Sequence, residues 1–199
     1  MNILITNTCE FFRRNDAIAV DIAVHAWQVR GDQSPIRYYK KVGERNTDIQ
    51  VGDEPDFGAT DFLLVMQSEQ QSCMLAANPR TLCVDATHGC TGYGYYLLSI
   101  LVITRYGHGL PVGWAIASRE NGYVWYLFSK SLRQESVNAK PEVMMADDSN
   151  SAWNGLRRTW TTLKHKLLCH WHLKKNIRAH CVGGKRKVQV RTNHIMNYF

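Results

Sequence analysis

Residues 82–118 read LCVDATHGCTGYGYYLLSILVITRYGHGLPVGWAIAS, and three strand-like runs within them decide the fold. Leu82-Cys83-Val84-Asp85, Tyr95 to Thr104 and Leu110 to Ser118 are apolar and rich in β-branched and aromatic residues. Each is bounded by Gly or polar residues. Tyr106-Gly107-His108-Gly109 separates the second run from the third and is short enough to be a turn. These two runs are therefore expected to form an antiparallel hairpin. The first run ends on an aspartate, Asp85, which is costly at the end of a buried strand unless a cation or hydrogen bonds compensate it.

Downstream, the spacing alternates between helix and strand. Asn121-Gly122 opens a helix with Val124, Leu127, Phe128 and Leu132 on one face, and Val143-Met144-Met145-Ala146 is a short buried strand running into Asp147-Asp148. Ser149 or Asn150 then caps a helix carrying Trp153, Leu156, Trp160 and Leu163. Lys166 to Cys169 is a fifth strand, and Leu173, Ile177 and Cys181 mark a last helix. Upstream, Phe62, Val65, Met66, Glu69 and Cys73 fall on helical spacing, which predicts a helix over 61–77 capped by Thr60 or Asp61 and ended by Asn78-Pro79. Residues 1–58 give only an apolar patch at Ile18 to Trp27 and read as a poorly defined extension.

The order βββαβαβα implies an α/β protein with a mixed five-stranded sheet and flanking helices, the element order of the ribonuclease-H-like fold. In that topology the first and fourth strands lie side by side, so Asp85 and Asp147 converge at one end of the sheet. Like charges there need a divalent metal to coexist, and two Mg²⁺ or Mn²⁺ ions roughly 4 Å apart can clamp both oxygens of a phosphodiester transfer. The competing reading is that Asp147 or Asp148 caps the following helix. Strand alternation favours Asp147 as the partner of Asp85, with Asp148 as the cap. His88 can assist a metal-bound water or be an ordinary loop histidine. Glu120, at the start of the helix after the third strand, is a minor candidate for the same metals.

Charge is divided unevenly along the chain. Residues 1–80 hold 8 Lys and Arg against 11 Asp and Glu, and residues 81–150 hold 5 against 6. Residues 151–199 hold 11 against none, within a net charge of +7. Such a segment suits a phosphate backbone. Lys164, Lys166, Lys174, Lys175, Arg178, Lys185, Arg186, Lys187 and Arg191 are interleaved with Trp160, Trp171 and His172, a pattern fitted to counterion release and base stacking. Cys169-His170-Trp171-His172 is a C-x-x-H at a strand end. Its extension to His180 and Cys181 matches no common zinc finger, so Cys169 is expected in the core, with the histidines orienting neighbours or facing phosphate.

Hydrophobic content of 45% argues against disorder, and the longest apolar stretch, Leu97 to Ile103, is far too short to span a bilayer. The N-terminus lacks the layout of a secretory signal. The six cysteines form no framework spacing, which points to a reducing compartment.

Four motifs, in order, resemble one family. They are Cys-Val-Asp85-Ala-Thr-His-Gly-Cys-Thr-Gly-Tyr-Gly, then Gly-Leu-Pro-Val-Gly-Trp-Ala-Ile-Ala-Ser-Arg-Glu, then Met-Met-Ala-Asp147-Asp, then Leu-Leu-Cys169-His-Trp-His172. Over about residues 60–180 they are similar to the transposase core of Mutator-like elements (MULE). The resemblance implies a ribonuclease-H-like transposase that cuts DNA and joins element ends to target DNA. Asp85 and Asp147 are then its first two catalytic, metal-binding carboxylates, with two Mg²⁺ or Mn²⁺ ions, and Cys169 with His172 is its C-x-x-H signature. The family's third carboxylate is a glutamate beyond that signature, and this sequence has no acidic residue after Asp148.

The expected organisation is therefore an extension over 1–58, a partial, C-terminally incomplete core over 59–182 and a basic tail over 183–199. The expected function is a transposase-derived DNA-binding domain that cuts DNA poorly. An active metal-dependent transposase or nuclease, or a non-catalytic fragment, is the alternative. DNA is the expected partner, in the nucleus or cytoplasm. Gly183-Gly184-Lys-Arg-Lys is a low-specificity nuclear-localisation match. Self-association is left open.

Overall fold

The computed structural model describes residues 16–44, 57–89 and 91–182, the side chains of 179–182 excepted. Its elements are α1 (Asp16–Gln28), β1 (Ile36–Lys40), β2 (Leu63–Met66), α2 (Glu69–Ala77), β3 (Thr81–Thr87), β4 (Tyr96–Ile103), β5 (Gly109–Ala117), α3 (Gly122–Glu135), β6 (Val143–Ala146), α4 (Ser151–Thr159), β7 (His165–Leu168) and α5 (His170–Val182). The strands form one mixed sheet in the order β1-β2-β5-β4-β3-β6-β7. β3, β4 and β5 are an antiparallel meander, while β6 runs parallel to β3 and β7 parallel to β6. The β4–β5 hairpin closes as its sequence dictates. Thr104 N–H donates to the His108 carbonyl at 2.9 Å, and Gly107 takes φ +78°, a conformation open to glycine.

The sheet has seven strands rather than the expected five, because two more pair beyond β5. The expected helix over 61–77 splits in two: Leu63–Met66 is strand β2, and the helix starts only at Glu69. Leu63, Leu64 and Val65 are all buried, so the strand lacks the polar alternation that would betray it. The true helix start is a capping box. Ser68 accepts from Gln71 N–H, and the Gln71 side chain accepts from Ser68 N–H. β1 pairs with β2 through a bulge and is joined to α1 by the Tyr39 hydroxyl, which donates to Asp21. Burial, and then that bond, push the Tyr39 phenol well above its ordinary pKa.

The two sheet faces differ. Leu82, Val84, Leu98, Ile100, Val102, Ala115, Ala117, Met144 and Ala146 alternate onto one face and are buried there with Val124, Leu127, Phe128 and Leu132 of α3 and Leu156 of α4. Gly113 makes room for α3, since a Cβ there would stand 2.8 Å from Leu132 Cδ1. α4 then packs on α3 at Gly155. The opposite face carries Cys83, Asp85, Ser99, Leu101, Trp114 and Met145, all at least partly exposed. The first candidate carboxylate thus lies on the more open face.

Asp61, anticipated as a helix cap, is instead a buried hub. Its carboxylate accepts from Gly58 N–H at 2.6 Å and from Ser118 Oγ at 3.4 Å, and pairs with Arg119 Nε at 2.7 Å. Its carbonyl accepts from Lys40 Nζ at 2.5 Å. Burial holds the Lys40 ammonium below its ordinary pKa, against the raising pull of Asp61 and Glu44. Asp61→Ala removes the buried carboxylate that gathers the Gly58 N–H, the Ser118 hydroxyl and Arg119, so a loss of about 2 kcal/mol is expected. Urea unfolding of the two proteins measures it, and a difference within about 0.5 kcal/mol would contradict the hub.

Candidate active site

Asp85 lies within β3, which runs on to Thr87 rather than ending at Asp85 as expected, and Asp147 follows β6. Cys83 pairs with Met145 across these parallel strands, so two residues further on the aspartates stand side by side on one face. They line a common cleft with His88, Glu120 and Ser149, floored by Val84, Ala146, Ala152 and Trp125. The convergence expected from the sequence is thus present in the fold.

Each carboxylate has local partners. Asp85 Oδ2 accepts from Thr87 Oγ1 at 3.1 Å, and Asp85 Oδ1 lies 3.6 Å from His172 Nε2. Asp147 Oδ1 accepts from Ser149 N–H at 2.9 Å, closing a turn ahead of α4, and Asp148, the expected cap, is not the N-cap residue. Asn150 is the helix N-cap residue but makes no side-chain cap bond. α4 also ends at Thr159, so Trp160 is its C-cap, and Leu163 lies in the following turn rather than on the helix.

Glu120 is the carboxylate that sequence reasoning undervalued. Arg119 turns towards Asp61, while Glu120 turns into the cleft and accepts from Trp125 Nε1 at 2.7 Å. Trp125 is buried, so its indole N–H needs an acceptor. Three carboxylates therefore line one cleft, although among the described residues no three His, Cys, Asp or Glu side chains are already grouped to hold a metal ion. His88 stacks edge-on against Tyr96, with centroids 4.7 Å apart.

The C-x-x-H follows β7 directly and opens α5. Cys169 N–H donates to the Ala146 carbonyl, which fixes the start of α5 beside β6. α5 then carries His172 back to Asp85. Cys169 is half-buried rather than a core residue, and it shares a second, wider cleft with Cys83, Asp85, Met145, Trp171 and His172. Burial, and then the nearby Cys169, push the Cys83 thiol above its ordinary pKa. The side chains of His180 and Cys181 lie outside the described ones.

Residues 81–176 match the family model of the MULE transposase domain. This segment is similar to the MULE transposase domain. The match contains Asp85, Glu120, Asp147, Cys169 and His172, and spans β3 to the middle of α5. No curated protein matches the chain.

Around this domain the basic residues divide into two groups. Lys166, expected at the nucleic-acid track, is occupied instead by the β6–α4 loop. Its Nζ donates to the Ser149 carbonyl at 2.8 Å and to Asn150 Oδ1 at 3.0 Å. Lys164, Lys174, Lys175 and Arg178 are exposed. Arg157 over Trp153 adds a cation–aromatic pair within α4, and Arg158 over Tyr126 one between α4 and α3. Lys185, Arg186, Lys187 and Arg191 lie outside the described residues. No helix among the described residues is long and apolar enough to cross a membrane.

Proposed function

We propose that this chain is a DNA-binding domain of the transposase type, ribonuclease-H-like in architecture, in which Asp85 and Asp147 are the metal-binding carboxylates. The observation that carries the reading is the meeting of Asp85 and Asp147 in one cleft, from adjacent parallel strands within the MULE match. The antiparallel meander followed by two parallel crossovers supports the architecture. Carboxylate oxygens are the donors that Mg²⁺ and Mn²⁺ prefer, so the residues fit the chemistry of those ions. When bound, such an ion would supply Lewis-acid stabilisation of a phosphodiester oxygen. Asp85 and Asp147 would hold it, and Thr87 and Ser149 orient them. The exposed cations of α5 take the DNA backbone, in the nucleus or the cytoplasm.

With Asp85 and Asp147 in the cleft and Glu120 bonded to Trp125, cutting is expected to be poor, since a two-metal site short of one available ligand loses transition-state stabilisation. Supercoiled plasmid incubated with the purified chain and Mn²⁺ is expected to stay unnicked above the buffer control. Nicking that disappears in Asp85→Asn would replace this reading with an active nuclease. The presence of Glu120 in the cleft is the one observation favouring that second reading. It adds a specific consequence: any such nicking would be lost in Glu120→Gln as well.

A further inference from the structure

The wider cleft, of about 360 Å³, is lined by Cys83, Val84, Leu101, Met145, Cys169, Trp171, Asp85 and His172. Its volume lies within the roughly 300–1,000 Å³ of ligand clefts, and its floor is apolar. Trp171 stands at the mouth, 62% exposed, in the first turn of α5. Lys175, one turn later, lies over the indole with Nζ 5.1 Å from the ring centroid. His172 meets Trp171 edge-on at 4.8 Å, and its Nδ1 is buried without a hydrogen-bond partner among the described residues.

We infer that this cleft receives an unpaired nucleobase of a DNA strand, stacked on Trp171. The inference rests on the DNA-binding reading above and deepens it. Charge decides which part of the strand enters. The lining holds no Lys or Arg, so a phosphate finds no fixed cation inside the cleft, while a neutral base needs none. Lys174, Lys175 and Arg178 lie outside it on α5 and suit the flanking phosphates. An exposed indole offers a face of the right kind for a base, and a neighbouring cation strengthens such platforms. His172 Nδ1 offers a hydrogen bond to the base edge. A base inside a paired duplex has both faces covered by its neighbours, so only an unstacked base can use the site.

Fluorescence anisotropy of the full chain tests this with a fully paired duplex and with the same duplex bearing three unpaired thymines. The unpaired substrate is expected to bind roughly tenfold more tightly. In Trp171→Ala the ratio of the two affinities should fall to about one, and in Trp171→Phe it should be partly kept, since a smaller ring still stacks. A 2-aminopurine at the unpaired position reports stacking directly by its quenching, which Trp171→Ala should abolish. Equal binding of both substrates by the native chain, or a preference that survives Trp171→Ala, overturns the inference and leaves DNA binding intact. Failure to bind either DNA overturns both readings.

Discussion

Affinity for duplex DNA is expected to fall about a thousandfold as salt rises from about 50 to about 200 mM, the loss that follows from displacing counterions at roughly six phosphates. The residues held responsible are Lys164, Lys174, Lys175 and Arg178, with the basic residues after 182. A plot of log affinity against log salt should be linear, and replacing Lys174, Lys175 and Arg178 with Ala should reduce its slope by about three. Lys166→Ala makes a sharper control. Lys166 Nζ is committed to Ser149 and Asn150, so its loss should leave the slope nearly unchanged and loosen the loop that carries Asp147. Binding that stays flat across this salt range would overturn the electrostatic reading of the C-terminal quarter.

Gly155→Ala is expected to destabilise the chain by about 3 kcal/mol, the upper part of the usual range for overpacking, and to lower its Tm by roughly 10 °C. A Cβ at Gly155 would stand 2.5 Å from the Gly122 carbonyl oxygen, 2.5 Å from Trp125 Cβ and 2.8 Å from Tyr126 N. Two of these three atoms are backbone, so no rotamer change relieves the clash, and α4 must move away from α3. That movement has a functional consequence. Glu120 lies two residues before α3 and Asp147 four residues before α4, so the cleft between them should distort with the helix pair. Denaturant unfolding measures the first effect, and stability within about 0.5 kcal/mol of the native chain would contradict the close approach.

Much of the fold was legible because its signals are local. Alternation, turn residues and caps place β3, β4, β5, α3, β6, α4, β7 and α5 within a few residues of where they stand. Asn121 caps α3, as its sequence implied, by accepting from Val124 N–H at 2.9 Å. β2 was illegible because Leu63-Leu64-Val65 is buried on both faces, and a short continuous apolar run has no period to read. β1 was illegible for a different reason. Its residues Ile36 to Lys40 are mixed in polarity, and they form a strand only because β2 offers an edge.

The same division holds at the site. The sequence by itself determined the two aspartates on neighbouring strand segments, the C-x-x-H and the basic C-terminal quarter, because chemistry and spacing lie within single elements. Only the tertiary structure decided which side chains meet. It brought Glu120 into the cleft of Asp85 and Asp147, turned His172 back to 3.6 Å from Asp85 and committed Lys166 to a loop. It also made Asp61 a buried hub instead of a cap. Each of these depends on contacts between elements far apart in the chain, where packing rather than local propensity chooses the partner.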